Sequence, residues 1–376
     1  MAVRRWSVVV SLVVALAALT TGGALARGLV PCELLQSQPA CYVAMRPGPA
    51  EDVLRLLEVS GARSYPSTGE LLLTTVAVDE DLGLAEWLRS RASGVVETVP
   101  RDQVFPPGSD RDEVAEYNAA LMADSQLTAT LAALDELGFE VVGEGALVTA
   151  VVEDAVTDEL EVGDVIVAVD GHAVTDNRGV VTAVQARAPG DRLALEVRRG
   201  DASRDVEVVL GAASDDALRP YVGVLLSTEL DLPVEVVIDA GVIGGPSAGL
   251  MFALSIVEAL GPEDLTDGTV VAGTGTLSRD GEVGAIGGIQ QKVLGATARA
   301  DGGHGADVFL VPRGNLDQAV DTPVTSDVLL VPVGTLDEAL AALDALARDE
   351  VPADAVALPG ANDEAGAASR DTAAAR

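Results

Sequence analysis

A single lysine stands in this chain of 376 residues: of its 24 lysines and arginines all but Lys292 are arginine. A guanidinium stays protonated at any working pH, whereas an ammonium on a flexible stem gives up its proton when it is buried. A position that needs an amine as a base is therefore one that arginine cannot fill. The competing explanation is a coding bias against lysine that left one survivor on a helix by chance. Lys292 closes the segment Ile286-Gly287-Gly288-Ile289-Gln290-Gln291-Lys292. Its helical neighbours Ile289, Val293 and Leu294 would supply the apolar surroundings that depress an amine's pKa.

A hydroxyl partner is available at Ser247, in Gly244-Gly245-Pro246-Ser247-Ala248-Gly249-Leu250, directly before the apolar run Met251 to Leu260. Small residues around a serine at a helix start leave room for a substrate backbone, and the amides there point at developing negative charge. Taken alone, a Gly-Pro-Ser turn is an ordinary helix N-cap. Beside a neutral amine it becomes a nucleophile, with Lys292 as its general base and the Ser247 amide as oxyanion donor. The two histidines, His172 and His304, fall in loop-like segments of different parts of the chain, so no Ser, His and Asp triad competes. Cys, His and carboxylate residues show no metal-ligand spacing, and no cofactor is expected. A Walker A loop or a Ser-x-x-Lys pattern would each need a lysine, and the only one is already placed.

The two segments resemble the nucleophile and lysine motifs of Lon-type peptidases: Gly245-Pro246-Ser247-Ala248-Gly249, then Ile286 to Lys292, with the serine and lysine 45 positions apart. Gly273-Thr274-Gly275-Thr276-Leu277 and Phe309-Leu310-Val311-Pro312-Arg313-Gly314-Asn315 fall where such domains carry similar pieces. The resemblance implies a Ser247 and Lys292 catalytic dyad, with Thr274 orienting Lys292. It also implies a serine endopeptidase and assembly into a homo-oligomeric, hexameric ring; with no lysine left for a Walker A loop, that endopeptidase is expected to be ATP-independent, unlike full-length Lon, and to act on unfolded or partly cleaved polypeptides. Many Lon domains carry an acid two positions before the proline of the serine motif, and this chain has Gly244 there, which bears on the resting conformation of the serine loop.

The elements that must hold these residues read as an α+β multidomain chain. Residues 215–348 carry the Lon-type α+β proteolytic domain, with strands such as Val308 to Val311 and helices at Ser247 to Leu260, Ile289 to Ala300 and Thr335 to Leu346. Residues 141–212 alternate short strands with turns. There Leu160-Glu161-Val162-Gly163-Asp164-Val165-Ile166-Val167-Ala168-Val169-Asp170-Gly171 resembles the core signature of PDZ domains, a β-sandwich or barrel, with Asp170-Gly171 closing a hairpin. Such domains bind peptides by strand addition at a sheet edge, here expected at Gly145, Ala146, Leu147 and Val148, with a C-terminal peptide as ligand. The alternative is a spacer with a closed groove. Residues 31–140 read as a small α/β module or connector without chemistry, and 349–376 as an Ala-rich disordered tail.

Residues 1–30 read as a targeting segment, with Arg4 and Arg5 ahead of the apolar run Val8 to Leu19. The run from Trp6 to Thr20 spans roughly 22 Å as a helix, short of a hydrocarbon core of roughly 30 Å. Ala24-Leu25-Ala26 offers a cleavage site, so a secreted product and a single membrane anchor both stand, each placing the bulk of the chain outside the cytoplasm. In that oxidising compartment Cys32 and Cys41 are expected to form a disulfide. The whole order resembles the PDZ-containing Lon-type proteases, which favours the anchor. A formal net charge of -35 repels phosphate backbones and anionic lipid heads, excluding nucleic acid as a partner and leaving the N-terminal segment as the membrane contact. The reading from a different class is a non-catalytic PDZ peptide-binding scaffold with a degenerate Lon fold.

Overall fold

The computed structural model describes residues 41–360, apart from 81, 83–86, 88–89, 91–95, 106–110, 154, 214–215 and 299–304. The expected targeting segment, Cys32, His304 and positions 361–376 of the expected tail thus lie outside the described residues. Cys41 is buried and is not a free thiol. Among the described residues no helix is long and apolar enough to cross a membrane.

In chain order the principal elements are β1 (Tyr42–Asp52), β2 (Glu70–Asp79), β3 (Glu97–Pro100), α1 (Arg111–Glu136), β4 (Val142–Val151), β5 (Val165–Val169), α2 (Asn177–Gln185), β6 (Arg192–Arg199), β7 (Ala202–Val209), β8 (Val224–Asp231), α3 (Gly249–Leu260), β9 (Val270–Gly273), α4 (Ile289–Thr297), β10 (Val308–Pro312), β11 (Val328–Val333), α5 (Leu336–Ala347) and β12 (Val356–Leu358). They fall into two compact units. One combines residues up to Leu137 with those from Val236 onward, and the other is Gly138–Glu235, inserted into the chain of the first.

The first unit is built on a seven-stranded mixed sheet in the order β12-β11-β10-β9-β2-β1-β3. Strands β2, β9, β10 and β11 run parallel, and Val308 to Pro312 are buried without alternation, as strands covered on both faces must be. On one face, Ile289, Val293 and Ala296 of α4 pack with Leu72, Ala272, Phe309 and Leu330. On the other, α3 approaches so closely that a Cβ on Gly273 would lie 2.5 Å from Met251 Sδ. Helix α3 is apolar almost all round because α1 covers its outer side: eleven of its twelve residues are buried, and only Ser255 and Glu258 among them are polar.

The inserted unit is an antiparallel sheet in the order β8-β4-β5-β6-β7. Along β6, Leu193, Leu195 and Val197 point inward while Arg192, Ala194 and Glu196 point out, the alternation of a sheet with one solvated face. Helix α2 begins at Asp176, whose carboxylate accepts from the Gly179 N–H at 2.8 Å, and buries Val180 in the core beside Ile166 and Leu195. Asp170 and Gly171 both take positive φ in the two-residue turn between β5 and the short strand His172–Ala173.

Three expectations on domain organisation are corrected. Residues 31–140 are no separate module: β1, β2 and β3 share the sheet with β9 to β12, so the domain expected at 215–348 is completed by them. The unit expected at 141–212 runs on through β8, which pairs along β4 from Val151 to Val142. The tail expected at 349–376 begins with order, because Val356–Leu358 closes the sheet against β11. In each case the cause is a pairing between strands far apart in the chain, which local periodicity does not record.

Candidate active site

Helix α3 lies on one face of the sheet and α4 on the other, and the start of each comes to the end of β9. Ser247 precedes α3, Thr274 follows β9, and Lys292 sits in the first turn of α4. Lys292 Nζ lies 2.7 Å from Ser247 Oγ and 2.9 Å from Thr274 Oγ1. The Thr274 hydroxyl donates to the Ser247 carbonyl at 2.9 Å, and the Gly275 N–H donates to the same carbonyl, also at 2.9 Å. With its hydrogen so committed, Thr274 Oγ1 can only accept from Lys292. One amine N–H is thereby fixed on the threonine, and the nitrogen's remaining valence faces the serine.

Lys292 is 4% exposed. Burial pushes its pKa from the ordinary lysine value of 10.5 down to about 7. The desolvation penalty falls on the ammonium, so near neutrality a large share of the molecules carry a free amine. The backbone places Ser247 outside the helix cap: Ala248 occupies that position, and Ser247 Oγ meets the amine. The ordinary N-cap reading of Gly-Pro-Ser does not describe this serine.

The serine loop is held from α1, a helix in which sequence reasoning found no chemistry. Gly245 N–H donates to the Asn118 carbonyl at 2.9 Å, and Ser125 Oγ donates to the Pro246 carbonyl at 3.2 Å. Gly245 takes φ 90°, a conformation open to glycine. One signal for Ser125 was present in the sequence: it lies in the stripe Met122, Ser125, Ala129 and Ala132 that α1 buries, a hydroxyl among apolar residues. Beside this side-chain cluster opens a cavity of about 550 Å³, with Met45, Leu73, Val76, Met122 and Ile243 among its walls and Ser247 and Lys292 at its edge. Gly244 also lines it and stands against Asn118, where a Cβ would come within 3.0 Å of the Asn118 Cβ. A side chain there meets α1 directly, which is the local reason a glycine fits.

In the inserted unit the expected peptide edge is overturned. Gly145, Ala146, Leu147 and Val148 lie in the interior strand β4: Ala146 and Leu147 face Ile166 and Val165 of β5 on one side, and Gly145 to Val148 pair with Glu229 to Leu226 of β8 on the other. The outer strands are β8, next to β4, and β7 at the far end of the sheet. Asn177 at the start of α2 donates through Nδ2 to the Leu226 carbonyl at 3.2 Å, linking that helix to β8. Among the described residues no group of three or more His, Cys, Asp or Glu is arranged to hold a metal ion.

A family model described as a PDZ domain matches residues 135–210, and the chain carries a PDZ domain there, the kind of module that recognises peptides. Among solved structures, the PDZ domain of an SdrC-like protein from Listeria monocytogenes is 25% identical, over 22% of this chain and 87% of that one, with a TM-score of 0.21. Its counterpart from Listeria innocua is 23% identical over 22% and 92%, with a TM-score of 0.20. A Lon protease of Mesomycoplasma hyopneumoniae (strain 232) is 35% identical over 79 residues, 21% of this chain. The match spans 8% of that protein's length.

Proposed function

We propose that this chain is an ATP-independent serine endopeptidase of the Lon type, with Ser247 as nucleophile and Lys292 as general base, whose PDZ domain recruits substrate or partner peptides. The observation that carries the reading is the 2.7 Å contact between Ser247 Oγ and a buried Lys292 whose pKa is about 7. Sequence likeness to a Lon protease over 79 residues supports it.

In the reaction, Ser247 Oγ attacks a peptide carbonyl carbon while its proton passes to the Lys292 amine, and the carbonyl π pair moves onto oxygen. Collapse of the tetrahedral adduct breaks the C–N bond, and Lys292 returns the proton to the departing amine. Water then attacks the acyl-serine with Lys292 again taking the proton, releasing the acid and restoring the hydroxyl. The apolar cavity suits side chains of loosely folded polypeptides. Beyond Leu73, where its pairing with β9 ends, β2 continues along the cavity from Thr74 to Val78, a backbone against which an extended substrate can lie. Strand addition by a recruited peptide belongs at β8, the outer strand of the PDZ sheet that lies beside α2. With the N-terminal segment as anchor or signal, the site of action is extracytoplasmic.

The test compares hydrolysis of an unfolded protein substrate by the full chain, Ser247→Ala and Lys292→Arg, with labelling by a serine-reactive fluorophosphonate. Wild-type turnover lost in both variants, with the label mapped to Ser247, is the expected result. Equal turnover in either variant refutes the dyad, and no turnover by the wild type leaves a peptide-binding scaffold.

A further inference from the structure

The bond from Ser125 to the Pro246 carbonyl grips the peptide unit whose other end is the Ser247 N–H. No cis peptide bond occurs among the described residues, so the C=O of Pro246 and the N–H of Ser247 point in opposite directions. Fixing the carbonyl toward α1 therefore turns the Ser247 N–H away from α1. Ser125 is 5% exposed, and its hydroxyl stands 3.1 Å from where a Cβ of Gly249 would be, so the group is wedged between the helix and the start of α3. A second tie, from the Gly245 N–H to the Asn118 carbonyl, stops the loop from pivoting about the first.

On the other side of the serine, Thr274 and Gly275 fix the Ser247 carbonyl. Both peptide units flanking Ser247 are thus clamped, one by the β9 end and one by α1. The Ser247 N–H itself makes no hydrogen bond among the described residues, so it is free to bind a developing oxyanion.

We propose that Ser125 is a positioning residue for the oxyanion: its hydroxyl, by holding the Pro246 carbonyl, aims the Ser247 N–H at the charge that forms on the substrate oxygen. This rests on the peptidase reading above. An amide that is already oriented stabilises the transition state more than the ground state, because the full charge exists only there. Loss of the hydroxyl should accordingly lower kcat and leave KM in place. It should also leave the pH midpoint in place, since that belongs to Lys292.

The experiment uses the full chain with a peptide substrate and the matching peptide aldehyde, whose hemiacetal mimics the oxyanion. The isosteric pair Ser125→Thr and Ser125→Val keeps the volume and differs only in the hydroxyl, and Ser125→Ala accompanies them. Expected are kcat values about tenfold lower for Val than for Thr, KM within about twofold, and aldehyde affinity falling in step with kcat/KM. Equal kcat in Thr and Val overturns the proposal, as does a Val loss that appears as fewer titratable sites with normal turnover per site. Wild-type turnover that survives Ser247→Ala would instead sink the peptidase reading itself, so the two failures are distinguishable.

Discussion

Gly295 of α4 rests on the backbone of Gly48 in β1: a Cβ on Gly295 would lie 2.5 Å from the Gly48 carbonyl oxygen. The helix that carries Lys292 is thus seated directly on a strand from the opposite end of the chain, one turn beyond the lysine. Its height above the sheet sets the reach of the amine toward Ser247. Gly295→Ala must push the helix or the strand aside, because the obstacle is backbone and cannot rotate away. The expected cost is about 1–3 kcal/mol in stability, read from denaturant unfolding, with a fall in kcat larger than any change in KM.

The pH dependence of kcat/KM should report the amine. With a Lys292 pKa of about 7, activity rises about tenfold per pH unit below that value and levels above it. A rate profile from pH 5 to 9 on a substrate without titrating groups measures this. A flat profile, or a limb near the ordinary lysine value, would exclude Lys292 as the base.

Burial of the amine also has a price in stability. Its folded pKa lies below the unfolded value, so the unfolded chain binds more protons between about pH 7 and 10.5, and stability rises with pH across that window. Lys292→Met removes the titrating group and should stabilise the protein most below pH 7, by at most roughly 5 kcal/mol, with the gain shrinking as pH rises. Thermal melts of wild type and variant at pH 6 and pH 9.5 compare the two ends. A constant difference would contradict the assignment.

Thr274 is fully buried and serves two partners through one oxygen. Thr274→Val preserves the shape and removes both bonds. Turnover should fall about 10- to 100-fold. Because an acceptor favours the protonated amine, its loss lowers the lysine pKa further and moves the acid limb of the rate profile to lower pH. An upward movement of that limb would refute the orienting role.

In the PDZ unit, Asp164 is buried and accepts from Arg199 at 2.6 and 2.8 Å and from the Glu161 N–H at 2.9 Å. Burial raises its pKa, but the bonds from Arg199 and Glu161 outweigh burial and hold the carboxyl below its ordinary value. The stabilisation is therefore present above the ordinary carboxylate range and lost as pH falls through the lowered value. Asp164→Asn should destabilise residues 138–235 by about 3 kcal/mol near neutrality, seen as faster amide exchange across that unit. The difference should narrow in acid.

Of the three side chains that meet at the candidate site, the residues themselves named Lys292 and Ser247, and the resemblance to Lon-type peptidases named Thr274. Lys292 stood out because its chemistry is one that arginine lacks, and Ser247 because small residues surround it ahead of an apolar helix. The Asp170-Gly171 turn and the strand before it marked the PDZ domain for the same kind of reason: a two-residue turn with positive φ restricts its residue types, and that restriction is written locally.

Tertiary structure decided what depends on partners. Glu70 to Leu73 pair with Val270 to Gly273, and Thr74 bonds Gly273 across 199 positions, so only the folded sheet could join strands β1 to β3 to the half of the chain that carries Ser247 and Lys292. Gly145 to Val148 have the alternation of any strand, and whether such a strand is an edge depends on β8, which arrives some eighty residues later. Side-chain type and spacing are properties of a segment, whereas edges, clamps and depressed pKa values belong to the surroundings that other segments supply.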